Sequence, residues 1–160
     1  MKLILSILFC SFFFLKTTLP ELREQFQKSA NNKEITQQFY RSLEDYSGNN
    51  STILAYKGAS SIMYSRYFGN KEKKTELLKN GAKLIDNAVN KEPKNAEIRL
   101  IRFVIQENLP KFMKYNTHIA EDRKTLISLY PSQNAEVRKM IKHYSKVSKS
   151  MTNADKEKLN

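Results

Sequence analysis

The stretch TELLKNGAKLIDNAVNKEPKNAEIRLIRFVIQENLP, residues 75–110, decides the fold of this chain. Leu77, Gly81, Leu84 and Ala88 recur at the spacing of one helical stripe, and Leu78, Ile85 and Val89 lie beside it. That is the wide apolar face of a helix packed on a core. Pro93 ends the helix, because its ring blocks continued helical bonding, and Asn95 offers a side-chain oxygen to cap the next one. There Ala96, Ile98, Leu100, Ile101, Phe103, Val104 and Ile105 cover almost the whole circumference, so this helix is expected to be enclosed on most sides.

The flanking sequence repeats the pattern. Upstream, Leu54, Ala55, Ala59, Ile62, Met63 and Tyr67 mark a helix capped by Ser51 or Thr52, whose small residues Gly58, Ala59, Ser60 and Ser61 let a neighbour approach closely. Leu22, Phe26 and Ala30 belong to a short helix opened by Leu19 and Pro20, and Ile35, Phe39, Leu43 and Tyr46 to a second one. Downstream, Tyr115, Ile119, Leu126 and Leu129 share a stripe that stops at Pro131, and a last helix from about Ser132 carries Val137, Met140, Ile141, Tyr144, Val147 and Met151. No alternating segment is bounded by hairpin turns, so no sheet is expected. The expected fold is all-α: six or seven antiparallel helices in stacked hairpins, forming one domain over residues 19–150 with a charged tail, 151–160, that frays.

Residues 3–15, LILSILFCSFFFL, follow Met1 and Lys2 and are too short to span a bilayer comfortably. Residues 1–18 therefore read as a secretory signal peptide, or as an uncleaved anchor, since Lys16, Thr17 and Thr18 do not form a small-x-small cleavage site. The implied location is outside the cytoplasm, in the periplasm or cell envelope. Cys10 is the one cysteine and falls in this segment, which leaves the rest of the chain without thiol chemistry. A single core suffices for a chain of 160 residues, and the net charge of +12 with pI near 9.7 suits an anionic partner. Arginine makes up only seven of the 28 basic residues, which argues against nucleic acid and for lysines on solvated helix faces.

Residues 81–93 resemble the second helix of a tetratricopeptide repeat. Gly81 stands at the small-residue position, Ile85 at the bulky one, Ala88 at the later small one, and Pro93 closes the unit. The first helix, with Gly58 and Ala59, is separated from it by about ten residues more than the usual unit allows. In overall style the chain also resembles the small exported helical proteins that bacteria encode. The resemblance implies a concave helical surface that binds a peptide or protein, without catalysis.

Asp122 interrupts the apolar stripe of its helix, and a carboxylate facing a core needs a partner. Arg102, three residues after Arg99 in the most apolar helix, is the natural one, because a guanidinium offers two donors at once. Arg99, Arg102 and Asp122 are therefore read as a buried ion pair fixing helix register, or else as a pocket for an anionic ligand. His118 and Asp122 have metal-ligand spacing but no third ligand, so no metal or other cofactor is expected. Tyr56, Tyr64, Tyr67 and Phe68 crowd one helix and its end and are candidates for a binding surface. Lys139, Lys142, Lys146 and Lys149 follow helical spacing on the last helix, which suits either a solvated face or an anionic membrane surface. Phosphate loops, nucleophile elbows and zinc-protease motifs do not occur in the sequence. The expectation is a non-enzymatic protein whose partner is a protein or peptide, with a membrane surface as the alternative.

Overall fold

Asparagine sets most of the helix starts. The computed structural model describes residues 18–110 and 113–159, so the expected signal segment lies outside the described residues except for Thr18. Within them are eight α-helices: α1 (Leu19–Lys28), α2 (Lys33–Arg41), α3 (Ser51–Ser65), α4 (Lys71–Lys91), α5 (Ala96–Asn108), α6 (Ile119–Leu129), α7 (Ala135–Ser145) and α8 (Asn153–Glu157). The side chains of Asn32, Asn50, Asn70, Asn95 and Asn134 accept backbone N–H groups in the first turns of α2, α3, α4, α5 and α7. Each satisfies donors that a helix start leaves unpaired. Asn50 rather than Ser51 or Thr52 thus caps α3, and the lysine-rich residues 71–74 form the first turn of α4.

The all-helical expectation holds, and the described residues contain no strand. The helix number exceeds the six or seven expected because a tail helix forms. Residues 151–159 do not fray: Thr152 and Asp155 make a reciprocal capping box, Met151 and Leu159 are buried, and the Tyr130 hydroxyl donates to the Leu159 carbonyl at 2.8 Å. One isolated leucine at the end of a charged segment gives no periodicity to read, yet its burial docks the tail.

The closest helix approach is between α3 and α4. A Cβ added to Gly58 would lie 2.5 Å from the carbonyl oxygen of Gly81, and one added to Gly81 would lie 2.5 Å from that of Gly58. Both glycines are needed for their lack of a side chain, which lets the two backbones touch.

Two apolar clusters form the interior. One joins α1 to α5 around Leu22, Phe39, Tyr56, Ala59, Ile85, Ile98 and Ile101. The other joins α5, α6, α7 and the tail around Leu100, Phe103, Leu126, Ile141 and Leu159. Helix α5 contributes to both, and Val104 packs against each. Its all-round apolar sequence is thus accounted for by two cores on different sides.

Candidate functional site

One side of α5 is closed by charge. Asp122 of α6 is fully buried and accepts three hydrogen bonds: from Arg99 Nη1 at 2.8 Å, Arg102 Nε at 2.7 Å and Arg102 Nη2 at 2.8 Å. Arg99 also donates to Glu121 and, at 2.9 Å, to the Pro93 carbonyl, while Arg102 reaches Asp86 of α4 at 3.4 Å. Burial disfavours the Arg102 cation, but the Asp122 and Asp86 carboxylates together outweigh it and the guanidinium pKa is raised. The Tyr115 hydroxyl donates to Asp86 at 2.9 Å, and its own pKa is pushed up by burial and then by that carboxylate. The three residues singled out in the sequence therefore meet, and both guanidiniums bond to groups of the protein itself. The cluster links α4, α5 and α6 through Asp86, the two arginines and Asp122. His118, expected four residues from Asp122 on one face, turns to Glu121 at 3.0 Å instead. Helix α6 begins only at Ile119, so Tyr115 precedes it rather than sharing its stripe.

A second charged cluster was not foreseen. Glu97, in the first turn of α5, is buried and accepts from Arg23 Nε at 2.9 Å, Arg23 Nη2 at 2.8 Å and the Tyr56 hydroxyl at 2.7 Å. The Arg23 pKa is raised by this bidentate bond, and the Tyr56 hydroxyl is held far above its ordinary value by burial and the adjacent carboxylate. In the sequence Glu97 looks like an ordinary acid near a helix N-terminus, where it suits the helix dipole.

Tyr56 consequently belongs to the core, and the expected aromatic surface is corrected. Its ring lies edge-on to Phe26 at 5.6 Å and to Phe39 at 6.2 Å. Tyr64 is half-buried, stacks on Tyr40 at 4.7 Å and meets Phe68 edge-on at 5.0 Å, whereas Tyr67 lies under the Lys33 ammonium at 5.9 Å. Tyr64, Tyr67 and Phe68 thus pack into small aromatic contacts and share no groove with Tyr56.

The other side of α5 is open and apolar. A groove of about 560 Å³ runs along the seam between the two cores. Its floor comes from Phe26 of α1, Ile62 and Met63 of α3, Leu78 of α4, and Leu100, Val104 and Ile105 of α5. Leu109, Pro110 and Met113 close one end, and Met140, Tyr144 and Val147 at the α7 end form a wall. The wall is pinned to α5 by Glu107, which accepts from the Tyr144 hydroxyl at 2.6 Å, the Ser148 hydroxyl at 2.9 Å and the Ser150 backbone N–H at 2.7 Å. Burial and that carboxylate push the Tyr144 pKa up. Val147 was expected on the buried stripe of the last helix, but α7 ends at Ser145 and Val147 projects at the groove mouth, 67% exposed.

The volume lies within the roughly 300–1,000 Å³ of small-ligand sites. Three of the five methionines in the chain, Met63, Met113 and Met140, line it. Methionine's flexible, polarizable side chain adapts to differently shaped apolar groups. No single segment of sequence marks this groove, because its lining is drawn from α1, α3, α4, α5, α7 and a loop.

The lysines Lys139, Lys142, Lys146 and Lys149 are all exposed. No group of three or more His, Cys, Asp or Glu residues suited to a metal occurs among the described residues, and none of the helices there is long and apolar enough to cross a membrane. Comparison with protein-family models, curated proteins and solved structures found no significant match.

Proposed function

We propose that this protein is an exported, non-enzymatic helical module of the cell envelope that binds a protein or peptide segment in the groove beside α5. The groove itself carries the reading: a concavity of about 560 Å³, lined mainly by apolar side chains, at the seam of the two cores. Apolar surface exposed in a concavity gains free energy when a partner covers it, at roughly 25 cal/mol per Å² before the cost of association.

The tetratricopeptide-like reading is supported by the direction of the contacts. Lys91 reaches the Asn49 carbonyl at 3.2 Å and Gly81 faces Gly58, so positions on α4 fall as those on α3 rise. Gln106 accepts from the His118 backbone and Arg99 pairs with Asp122, the same sense between α5 and α6. Stacked antiparallel hairpins account for both. Export is supported by the apolar residues 3–15 behind Met1 and Lys2.

Cell fractionation with salt washes, combined with the mass of the N-terminus, tests this function. A soluble envelope protein cleaved near Thr18 or Leu19 is the expected result, and an intact Met1 on exported protein would contradict cleavage. One specific observation favours a second reading: Lys139, Lys142, Lys146 and Lys149 are each exposed, the first two on α7 and the others just past its end at Ser145, and exposed cations suit a peripheral protein on an anionic surface. Membrane-bound material released by high salt, with no protein partner, would select it.

A further inference from the structure

The charges around the groove are of one sign. Arg66 and Lys74 lie on its lining with His143, and Gln27, Asn31 and Asn108 supply the amides, but among the described residues no aspartate or glutamate lines it. Nearby acids are engaged elsewhere. Glu107, one residue from Asn108, is turned to Tyr144, Ser148 and Ser150. Glu24, one turn before the α1 residues of the lining, pairs with Lys28 at 2.6 Å.

The cations are differently placed. Lys74 and Leu78 are four residues apart on α4, so an exposed ammonium stands directly over an apolar floor residue. Among the described residues Lys74 has no carboxylate partner. Arg66 spends Nη1 on the Ala30 carbonyl at 2.9 Å, which holds its guanidinium at the edge. On α7, the exposed His143 lies on the lining and the exposed Lys139 stands four residues before it. An apolar floor with Arg66 and Lys74 at its edge is complementary to an apolar ridge carrying negative charge on its flank.

Resting on the docking role proposed above, we infer that the groove takes an acidic apolar segment of a partner protein, whose apolar side chains fill the methionine-lined floor and whose aspartates or glutamates meet the cations at its edge. Lysine, a compact charge on a flexible stem, suits varied carboxylate positions better than one fixed bidentate geometry. The site therefore selects charge sign and hydrophobicity more than a single sequence. It gives the positive balance of the chain a local use, in steering an acidic partner toward the groove.

A random-peptide library displayed against the whole protein, followed by NMR of methionine methyl groups with synthetic versions of the enriched peptides, tests the inference. Met63, Met113 and Met140 line the groove and Met151 is buried without being part of the lining, so the methyl signals report occupancy without any substitution. The enriched peptides are expected to combine apolar residues with an excess of Asp and Glu and to shift the three lining methyls but not Met151. Replacing the exposed Lys74 and His143 together, K74E with H143E, should weaken an acidic peptide about tenfold, and the lysine-for-acid version of that peptide should recover binding to this variant. Higher ionic strength should weaken the parent complex.

Enriched peptides that shift the lining methyls without an acidic bias would overturn the charge inference and leave the docking role standing. No peptide-dependent shift of Met63, Met113 or Met140 would overturn both. Sedimentation with phosphatidylglycerol vesicles in the absence of any peptide binding would replace both with the membrane reading.

Discussion

The two sides of α5 carry opposite kinds of surface. On one, Arg99 and Arg102 turn into α6 and close around Asp122, so that every charge is paired and little is left to offer a ligand. On the other, Leu100, Val104 and Ile105 face a groove that the remaining helices do not fill. Charged residues inside a small protein attract functional readings, yet here they form the sealed side. The difference teaches that charge placed inside a small protein can be answered by the protein's own groups while an apolar concavity on the opposite side of the same helix stays unfilled.

The largest effect should come from opening the sealed side. Asp122→Asn removes the one fully buried carboxylate, which both guanidiniums share, and leaves Arg99 only the half-exposed Glu121 and Arg102 only Asp86 and Glu121 as charged partners. Breaking such a pair costs about 3–5 kcal/mol, read as a lower urea midpoint. A midpoint equal to that of the parent would remove the structural role of the cluster and reopen it as a ligand site. Gly81→Ala comes next, because the new methyl would meet the Gly58 backbone at 2.5 Å and drive α3 from α4. Overpacking of this kind costs about 1–3 kcal/mol, and an unchanged thermal midpoint would mean that the two helices separate freely.

Tyr56→Phe removes one of the three hydrogen bonds to Glu97 while Arg23 keeps its two. A loss of about 1–2 kcal/mol in urea unfolding is expected, and no loss would place the hold on Glu97 in Arg23 alone. The smallest effect concerns Glu121, whose carboxyl is kept below its usual value of 4.5 by the Arg99 hydrogen bond and then by His118. A depressed carboxyl stabilises the fold above its unfolded-state value and loses that contribution as pH falls through the folded-state value. Because the side chain is 51% exposed, solvent screens the pair. The parent should be slightly more stable than Glu121→Gln at neutral pH, and the difference should vanish in acid. A difference that persists in acid would assign it to packing.

These comparisons also mark what the sequence discloses. Asp122 was legible because it broke a periodic apolar stripe, and Arg102 because few donors could answer it. Pro93 and Asn95 stood at a helix end and a helix start, as their backbone chemistry requires. Glu97 was hidden because an acid in a first helical turn has an ordinary explanation at the surface. Tyr56 was misread because an aromatic residue with a hydroxyl suits a surface and a core alike, and only Glu97, 41 positions away, decides between them. The docked tail depended on the burial of Leu159, a single residue without periodic company. The groove was invisible because it is the space left between elements, and no local pattern encodes that remainder.

The most direct test of the account places a photoreactive residue at Val147, 67% exposed at the groove mouth, and in a second strain at Lys124, exposed on α6 beyond the sealed side. Crosslinking in living cells should yield a discrete protein adduct from position 147 and none from position 124. Adducts from position 124 alone, or equally from both, would contradict the assignment of recognition to the open side of α5.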